Sequence, residues 1–180
     1  MKLKLLLLIL ALQAAWVVGT AVTQECKLAR GTVILLETRP VDPRDLLRGD
    51  YVILSYPISD VPLAKFADAP KEVPPGTAVF VVLEPKDKFH ESARASLTPP
   101  EVAGKQVLLR GKAEQRWNNA TNTVRVEYNL ERYYVREGTG NPRGKLTVQA
   151  AVAHDGAALI KQVFVDGVPY ADAAKAQAGR

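Results

Sequence analysis

Residues 5–22 constrain this chain before anything else, because within MKLKLLLLILALQAAWVVGTAV they are broken only by Gln13, Gly19 and Thr20. A helix rises about 1.5 Å per residue, so eighteen to twenty such positions reach roughly 30 Å, the thickness of a hydrocarbon core. Apolar regions of cleaved signal peptides usually run about 7–15 residues. This run is longer, and Trp16 stands toward its far end, where interfacial aromatics are favoured. The sequence therefore predicts a signal anchor over residues 1–26, kept as a transmembrane helix. Gly19-Thr20-Ala21 also fits a cleavage site after Ala21, the competing reading. Lys2 and Lys4 would hold the short end in the cytoplasm, so that residues 27–170 form an extracytoplasmic domain. Thr23-Gln24-Glu25 lacks the small residue a lipoprotein carries just before its cysteine, so lipidation at Cys26 is not expected.

Charge narrows the partners. The chain carries 24 Lys+Arg against 19 Asp+Glu, a formal +5. Two of those bases precede the apolar run and residues 1–22 contain no acid, leaving 22 bases against 19 acids in the remainder. So mild an excess, without a Lys/Arg cluster or an aromatic-interleaved basic stripe, predicts no nucleic-acid partner. One cysteine rules out an intramolecular disulfide, and two widely separated histidines without Cys/His spacing leave no structural zinc site to expect. No phosphate-binding glycine loop is present and no cofactor is expected.

Beyond the anchor, short β-like runs recur between turn residues, which predicts a mainly β domain, an antiparallel sandwich or partly open barrel. Thr32–Thr38 and Tyr51–Tyr56 read as strands, and Ala78–Glu84 (AVFVVLE), apolar on both faces, as a central one. Val107–Trp117 and Thr123–Leu130 flank the polar NNATN and read as a long hairpin. In the second arm Val124, Val126, Tyr128 and Leu130 alternate with Arg125, Glu127 and Asn129, the mark of a half-buried strand. Leu146–Ala153 and Ala157–Val165 flank His154-Asp155-Gly156, a second hairpin with a turn suited to positive backbone angles. Five prolines between 57 and 75 predict an irregular connection over 57–76, Phe89–Leu97 suits a short helix, and the small, polar run 171–180 is expected to be a flexible tail.

One stretch is more specific, DPRDLLRGDYVILSY at 42–56. Asp42 can cap a single helical turn that begins with Pro43, Gly49 can take a positive φ, and Asp50 can bond nearby backbone N–H groups. Along the strand Tyr51, Ile53 and Ser55 would face one side, with Val52, Leu54 and Tyr56 on the other. A turn leading into a strand accounts for every residue.

Gly49-Asp50-Tyr51, Leu54 and Tyr56 fill all five fixed positions of GDYxxLxY, and the chain here resembles the GDYXXLXY family of bacterial membrane-anchored proteins. Asp42 to Arg48, Glu131-Arg132-Tyr133-Tyr134-Val135 and Glu137-Gly138-Thr139-Gly140 also look like that family. The resemblance implies one N-terminal span in the inner (cytoplasmic) membrane and a periplasmic domain. It further implies a polytopic membrane protein encoded alongside as partner, and it carries over no catalytic residue. A weaker likeness joins Pro43, Leu46, Gly49 and Asp50, with Ile160-Lys161-Gln162 and Val165 to Pro169, to signal-peptidase-type Ser/Lys proteases. Arg39-Pro40-Val41-Asp42 stands where the nucleophile should be, and no serine lies between Gly31 and Leu54.

The remaining candidates are weighed on chemistry. His90-Glu91-Ser92 with Ser96 and Lys105 crowds nucleophile, base and acid types together, but a catalytic serine needs its base within about 3 Å and oxyanion donors, so a solvated segment is the simpler expectation. Asp42, Asp45 and Asp50 could meet a hard cation, yet Arg44 and Arg48 among them favour ion pairs. Tyr128, Tyr133, Tyr134 and Trp117 could line a groove with Tyr51 and Tyr56, though core packing is the commoner use. If 133–134 is extended, one of its two tyrosines faces out. The motif and binding candidates are thus Gly49, Asp50, Tyr51, Leu54, Tyr56, Glu131, Arg132, Tyr133, Tyr134 and Glu137, with no catalytic or metal residues. Two functions compete: a non-enzymatic anchored module for a membrane-protein partner, and an extracytoplasmic hydrolase-like or ligand-binding domain without the Ser/Lys pair.

Overall fold

Strand alternation and tight turns generate most of the architecture. A computed structural model describes residues 2–39, 51–114, 122–135 and 144–178. The helix α1 (Lys2–Arg30) leads through Gly31 into β1 (Thr32–Glu37), and ten further strands follow: β2 (Tyr51–Ile53), β3 (Asp60–Pro62), β4 (Ala78–Lys86), β5 (Phe89–Ser96), β6 (Val107–Glu114), β7 (Thr123–Glu127), β8 (Arg132–Tyr134), β9 (Leu146–Val152), β10 (Ala158–Val165) and β11 (Val168–Pro169). The helix α2 (Tyr170–Ala178) ends the described chain.

The named strands form three antiparallel sheets, ordered β3-β7-β6-β4-β5, β1-β9-β10-β11 and β2-β8, with no closed barrel. The two larger sheets share one apolar core. Ile34 and Leu36 of β1, Val148 and Ala150 of β9 and Val163 of β10 meet Val79, Val81 and Leu83 of β4, Leu109 of β6 and Val126 of β7. On β7 and beyond, Val124, Val126, Tyr128 and Leu130 point inward, as their alternation predicts. Gly111 is required by crowding: a Cβ there would come within 2.5 Å of Val126 Cγ1 and 2.6 Å of the Glu127 carbonyl.

Tight turns set the registers. Asp87 adopts φ 52° in the turn from β4 to β5. Asp166 and Gly167 both have positive φ, 50° and 84°, between β10 and β11, as a two-residue hairpin turn requires. Gly156, at φ 80°, closes the His154-Asp155-Gly156 turn, and its carbonyl accepts from Arg110 N at 2.8 Å, tying the β9–β10 hairpin to β6.

Three expectations are corrected. Phe89–Leu97 is not a helix: Phe89–Ser96 is strand β5, because the Asp87 turn delivers it onto β4, and ladder pairing outweighs the helix-compatible composition of HESARAS. The proline-rich connection 57–76 contains β3, which pairs with β7. From Tyr170 to Ala178 the chain is helical, with Ala173 and Ala174 buried against the core, in place of the flexible tail expected from 171. Asp42, Pro43, Arg44, Asp45, Arg48, Gly49, Asp50, Trp117 and Glu137 lie outside the described residues.

Candidate functional site

The two segments singled out by sequence, Tyr51–Tyr56 and Glu131–Val135, meet in space. Tyr51 pairs with Tyr134, Val52 with Tyr133 and Ile53 with Arg132, forming an antiparallel ribbon. Leu54 N donates to the Glu131 carbonyl at 2.8 Å and extends the pairing, and Arg39 N donates to the Ser55 carbonyl at 2.8 Å, joining the ribbon to the end of β1.

Alternation splits the ribbon into two faces. Val52 and Tyr133 pack against the core, and Leu54 and Tyr56 beyond them are fully buried. Tyr133 meets Tyr170 of α2 edge-on, with ring centroids 5.5 Å apart, so the C-terminal helix braces the ribbon from behind. The Tyr170 hydroxyl is held above the ordinary phenol range by burial and then by Tyr133. On the outer face stand Tyr51, Ile53, Arg132 and Tyr134. Tyr134 is 70% exposed and Ile53 46%. The Tyr51 and Tyr134 rings lie 6.1 Å apart, and the Arg132 guanidinium carbon sits 5.7 Å from the Tyr51 centroid, in cation–π range.

Below the ribbon two reciprocal hydrogen bonds lock the strand end to the chain after β7. Tyr56 Oη donates to the Leu130 carbonyl at 2.6 Å, and Tyr128 Oη donates to the Ile58 carbonyl at 2.8 Å, both in the core. Burial first, and the charge of Glu131 second, push both phenols far above their usual range, so they act as neutral donors. The turn between β7 and β8 is built on Asn129, at φ 61°, and on Glu131, whose Oε1 accepts from Tyr128 N at 2.8 Å. Burial holds the Glu131 carboxyl above the usual carboxylate range, while hydrogen bonds from the backbone of Tyr128, Glu131 and Leu130 pull it down. Its Oε2 is buried without a hydrogen-bond partner among the described residues.

Beside the ribbon, Asp60 of β3 gathers Arg125 of β7 and Arg39 of the segment just past β1. It pairs with Arg39 and lies 3.3 Å from Arg125 Nη1, while Arg125 Nη2 reaches toward Ser55 Oγ at 3.4 Å. Burial raises the Asp60 carboxyl, but both arginines outweigh it and leave it below its ordinary value. No local sequence pattern marks this cluster, because its members are scattered along the chain and alternation places Arg125 only on the wet side of its strand.

The crowded segment on β5 does not assemble into a triad. Glu91 pairs with Lys86 at 2.9 Å, and Ser96 Oγ donates to the Thr98 carbonyl. Burial lowers the affinity of His90 for a proton, with a hydrogen bond to the Leu35 backbone opposing it. Ser92 instead meets Lys65, whose Nζ donates to the Ser92 hydroxyl at 3.0 Å and also to the Ser92 carbonyl. That double contact pins the Leu63–Lys65 turn onto β5, and nothing in the sequence marks it. Tyr56 and Tyr128 are core residues and line no groove. Among the described residues no group of three or more His, Cys, Asp or Glu could hold a metal ion.

A family model described as GDYXXLXY protein matches residues 13–163, and the chain belongs to that family. Comparison with curated proteins and with solved structures gives no match.

Proposed function

We propose that this member of the GDYXXLXY family is a single-pass protein of the inner membrane, oriented by Lys2 and Lys4, with residues 27–170 as a non-enzymatic periplasmic module that docks on a polytopic membrane protein. The observation that carries the reading is the outer face of the ribbon. Cross-strand pairing of two separate family-like segments brings Tyr51, Tyr134, Ile53 and Arg132 together on one outward face, with Tyr51 half-buried and the other three exposed. Tyr and Arg are enriched at the energetic centres of protein interfaces: a ring buries a large area at little entropic cost, and a planar guanidinium stacks on it while presenting several hydrogen-bond donors. The helix Lys4–Cys26 is long and apolar enough to cross a membrane, which would confine the module beside its partner and raise their effective concentration. Residues 1–26 serve in this reading as the uncleaved anchor.

A photo-crosslinker in place of Tyr134 in intact cells tests the proposal. Capture of one multi-span membrane protein, abolished by Tyr51→Ser at normal abundance, is the expected result; absence of any membrane-protein adduct refutes it. The Lys65–Ser92 contact favours a second reading, a Ser/Lys hydrolase-like domain. That reading requires a serine-directed acylating probe to label the chain and Ser92→Ala to abolish labelling.

A further inference from the structure

Among the described residues, Gln13 and Gln24 of the anchor both lack a side-chain hydrogen bond, and Gln13 is the deeper of the two. Within Lys4–Cys26, Thr20 Oγ1 donates to the Val17 carbonyl and Thr23 Oγ1 to the Thr20 carbonyl, each at 2.8 Å, so both hydroxyls are bonded inside the helix. Gln13 has no such bond among the described residues. Of its neighbours one turn away, Ile9, Leu10 and Val17 are apolar, and the indole N–H of Trp16 makes no hydrogen bond to it among the described residues; as a donor alone, that N–H could never satisfy the amide NH₂. The span is 23 residues long and none of it is buried by the β domain. Gln13 stands two residues from its centre at Ala15, about 3 Å at 1.5 Å per residue. Hydrocarbon offers an amide no partner, so an unpaired carboxamide at that depth is costly and an interhelical bond is its natural relief.

We propose that α1 pairs in parallel with α1 of a second copy of this chain, held by a Gln13–Gln13 carboxamide contact near the bilayer midplane. The inference rests on the reading of residues 1–26 as a retained anchor. The choice of occupant follows from symmetry. Lys2 and Lys4 orient every copy the same way, so Gln13 falls at one depth in all of them. A carboxamide both donates and accepts, so two of them across a two-fold axis satisfy each other without any complementary sequence. The same stripe of the helix carries Leu6 and Thr20, seven residues before and after Gln13. Leu10, Val17 and Gln24 repeat at the same spacing alongside, a seam that suits parallel packing. Since α1 continues to Arg30 and only Gly31 separates it from β1, a paired anchor would bring two β domains close together.

Cys26 is the only cysteine and is exposed at the end of the span, so the full chain can be labelled there with donor or acceptor dye and reconstituted into phosphatidylcholine–phosphatidylglycerol vesicles. Intact mass is measured first. Energy transfer above random mixing is expected to persist on dilution with lipid, to survive Gln13→Asn, and to need about tenfold higher protein density after Gln13→Leu. With residues 1–26 present, transfer no greater than random mixing, or equal in wild type and Gln13→Leu, overturns the pairing alone. Loss in Gln13→Leu of a cross-link to a different membrane protein, with no transfer between wild-type copies, overturns it in favour of a heteromeric contact. A membrane-extracted chain beginning at Val22 overturns the anchor reading and the pairing together.

Discussion

Replacing Tyr56 by Phe removes one oxygen atom from the last fixed position of the family motif. The ring is fully buried, and its hydroxyl makes a 2.6 Å bond to the Leu130 carbonyl, 74 residues away. Phe fills the same space and opens no cavity, so the cost is that of a buried carbonyl stripped of a donor, about 1–3 kcal/mol. For a chain of this size 1 kcal/mol corresponds to roughly 2–4 °C in Tm, so the variant should melt several degrees below wild type. Leu54→Ala, which does open a cavity, should cost about 2–5 kcal/mol. Tyr134→Ala, on the exposed face, should cost no more than about 1 kcal/mol. The assay is thermal unfolding of the full chain in mild detergent, followed by near-ultraviolet circular dichroism. A double variant sharpens it. The Tyr56–Leu130 and Tyr128–Ile58 bonds join the same two segments, so Tyr56→Phe and Tyr128→Phe should be non-additive by more than about 0.5 kcal/mol. A Tyr56→Phe protein that melts with wild type would refute the lock, and a Tyr134→Ala protein that melts as early as Tyr56→Phe would refute the open outer face.

Gly111→Ala should destabilise by roughly 1–3 kcal/mol or more in the same melt, since the new methyl meets Val126 and the Glu127 backbone well inside contact distance. The Glu131 carboxyl, raised by burial, favours the folded state fully only below its unfolded value of 4.5, and that contribution is lost as pH rises through the higher folded value. Glu131→Gln keeps the acceptor for Tyr128 N, so its Tm should gain on wild type as pH is raised from below to above that range; a constant offset at every pH counts against the buried carboxyl. Asp60 has the opposite sign: its folded value lies below 3.8, so its ion pairs stabilise above that pH and fade as pH falls through the folded value. Asp60→Asn should therefore cost about 1 kcal/mol near neutrality, reduced for the half-exposed Arg39, and much less in strong acid. Alkaline carbonate washing should leave the full chain in the membrane pellet, and release of a form beginning at Val22 would show a cleaved signal instead.

What was legible in the sequence was local and periodic. Val124, Val126, Tyr128 and Leu130 repeat every second residue, and one buried face followed directly. The inward set Val52, Leu54 and Tyr56 was readable in the same way, as was the Asp155-Gly156 hairpin. Strand β5 was not, because HESARAS carries no alternation, and its conformation is imposed by a two-residue turn at Asp87-Lys88 that lacks the Asn-Gly or Asp-Gly signal. Nor was α2, whose small residues look solvated until Tyr170 is placed against Tyr133 and Ala173 and Ala174 against the core. Propensity reports what a segment does alone; these two are decided by what they touch.

The candidate site divides along the same line. Both halves of the ribbon were visible as separate segments, but their pairing is long-range and left no local mark. Once paired, the fixed positions of the motif cease to be equivalent. Leu54 and Tyr56 are explained by burial and by the Leu130 bond, with no appeal to function. Tyr51 is not: it is only half-buried, its ring leans on Arg132 and Tyr134 in solvent, and a turn leading into a strand would be served as well by Val or Thr at that position. A stability account of the motif is thinnest at Tyr51, which makes it the residue where a lost partner with an unchanged Tm would separate the contact face from the scaffold that carries it.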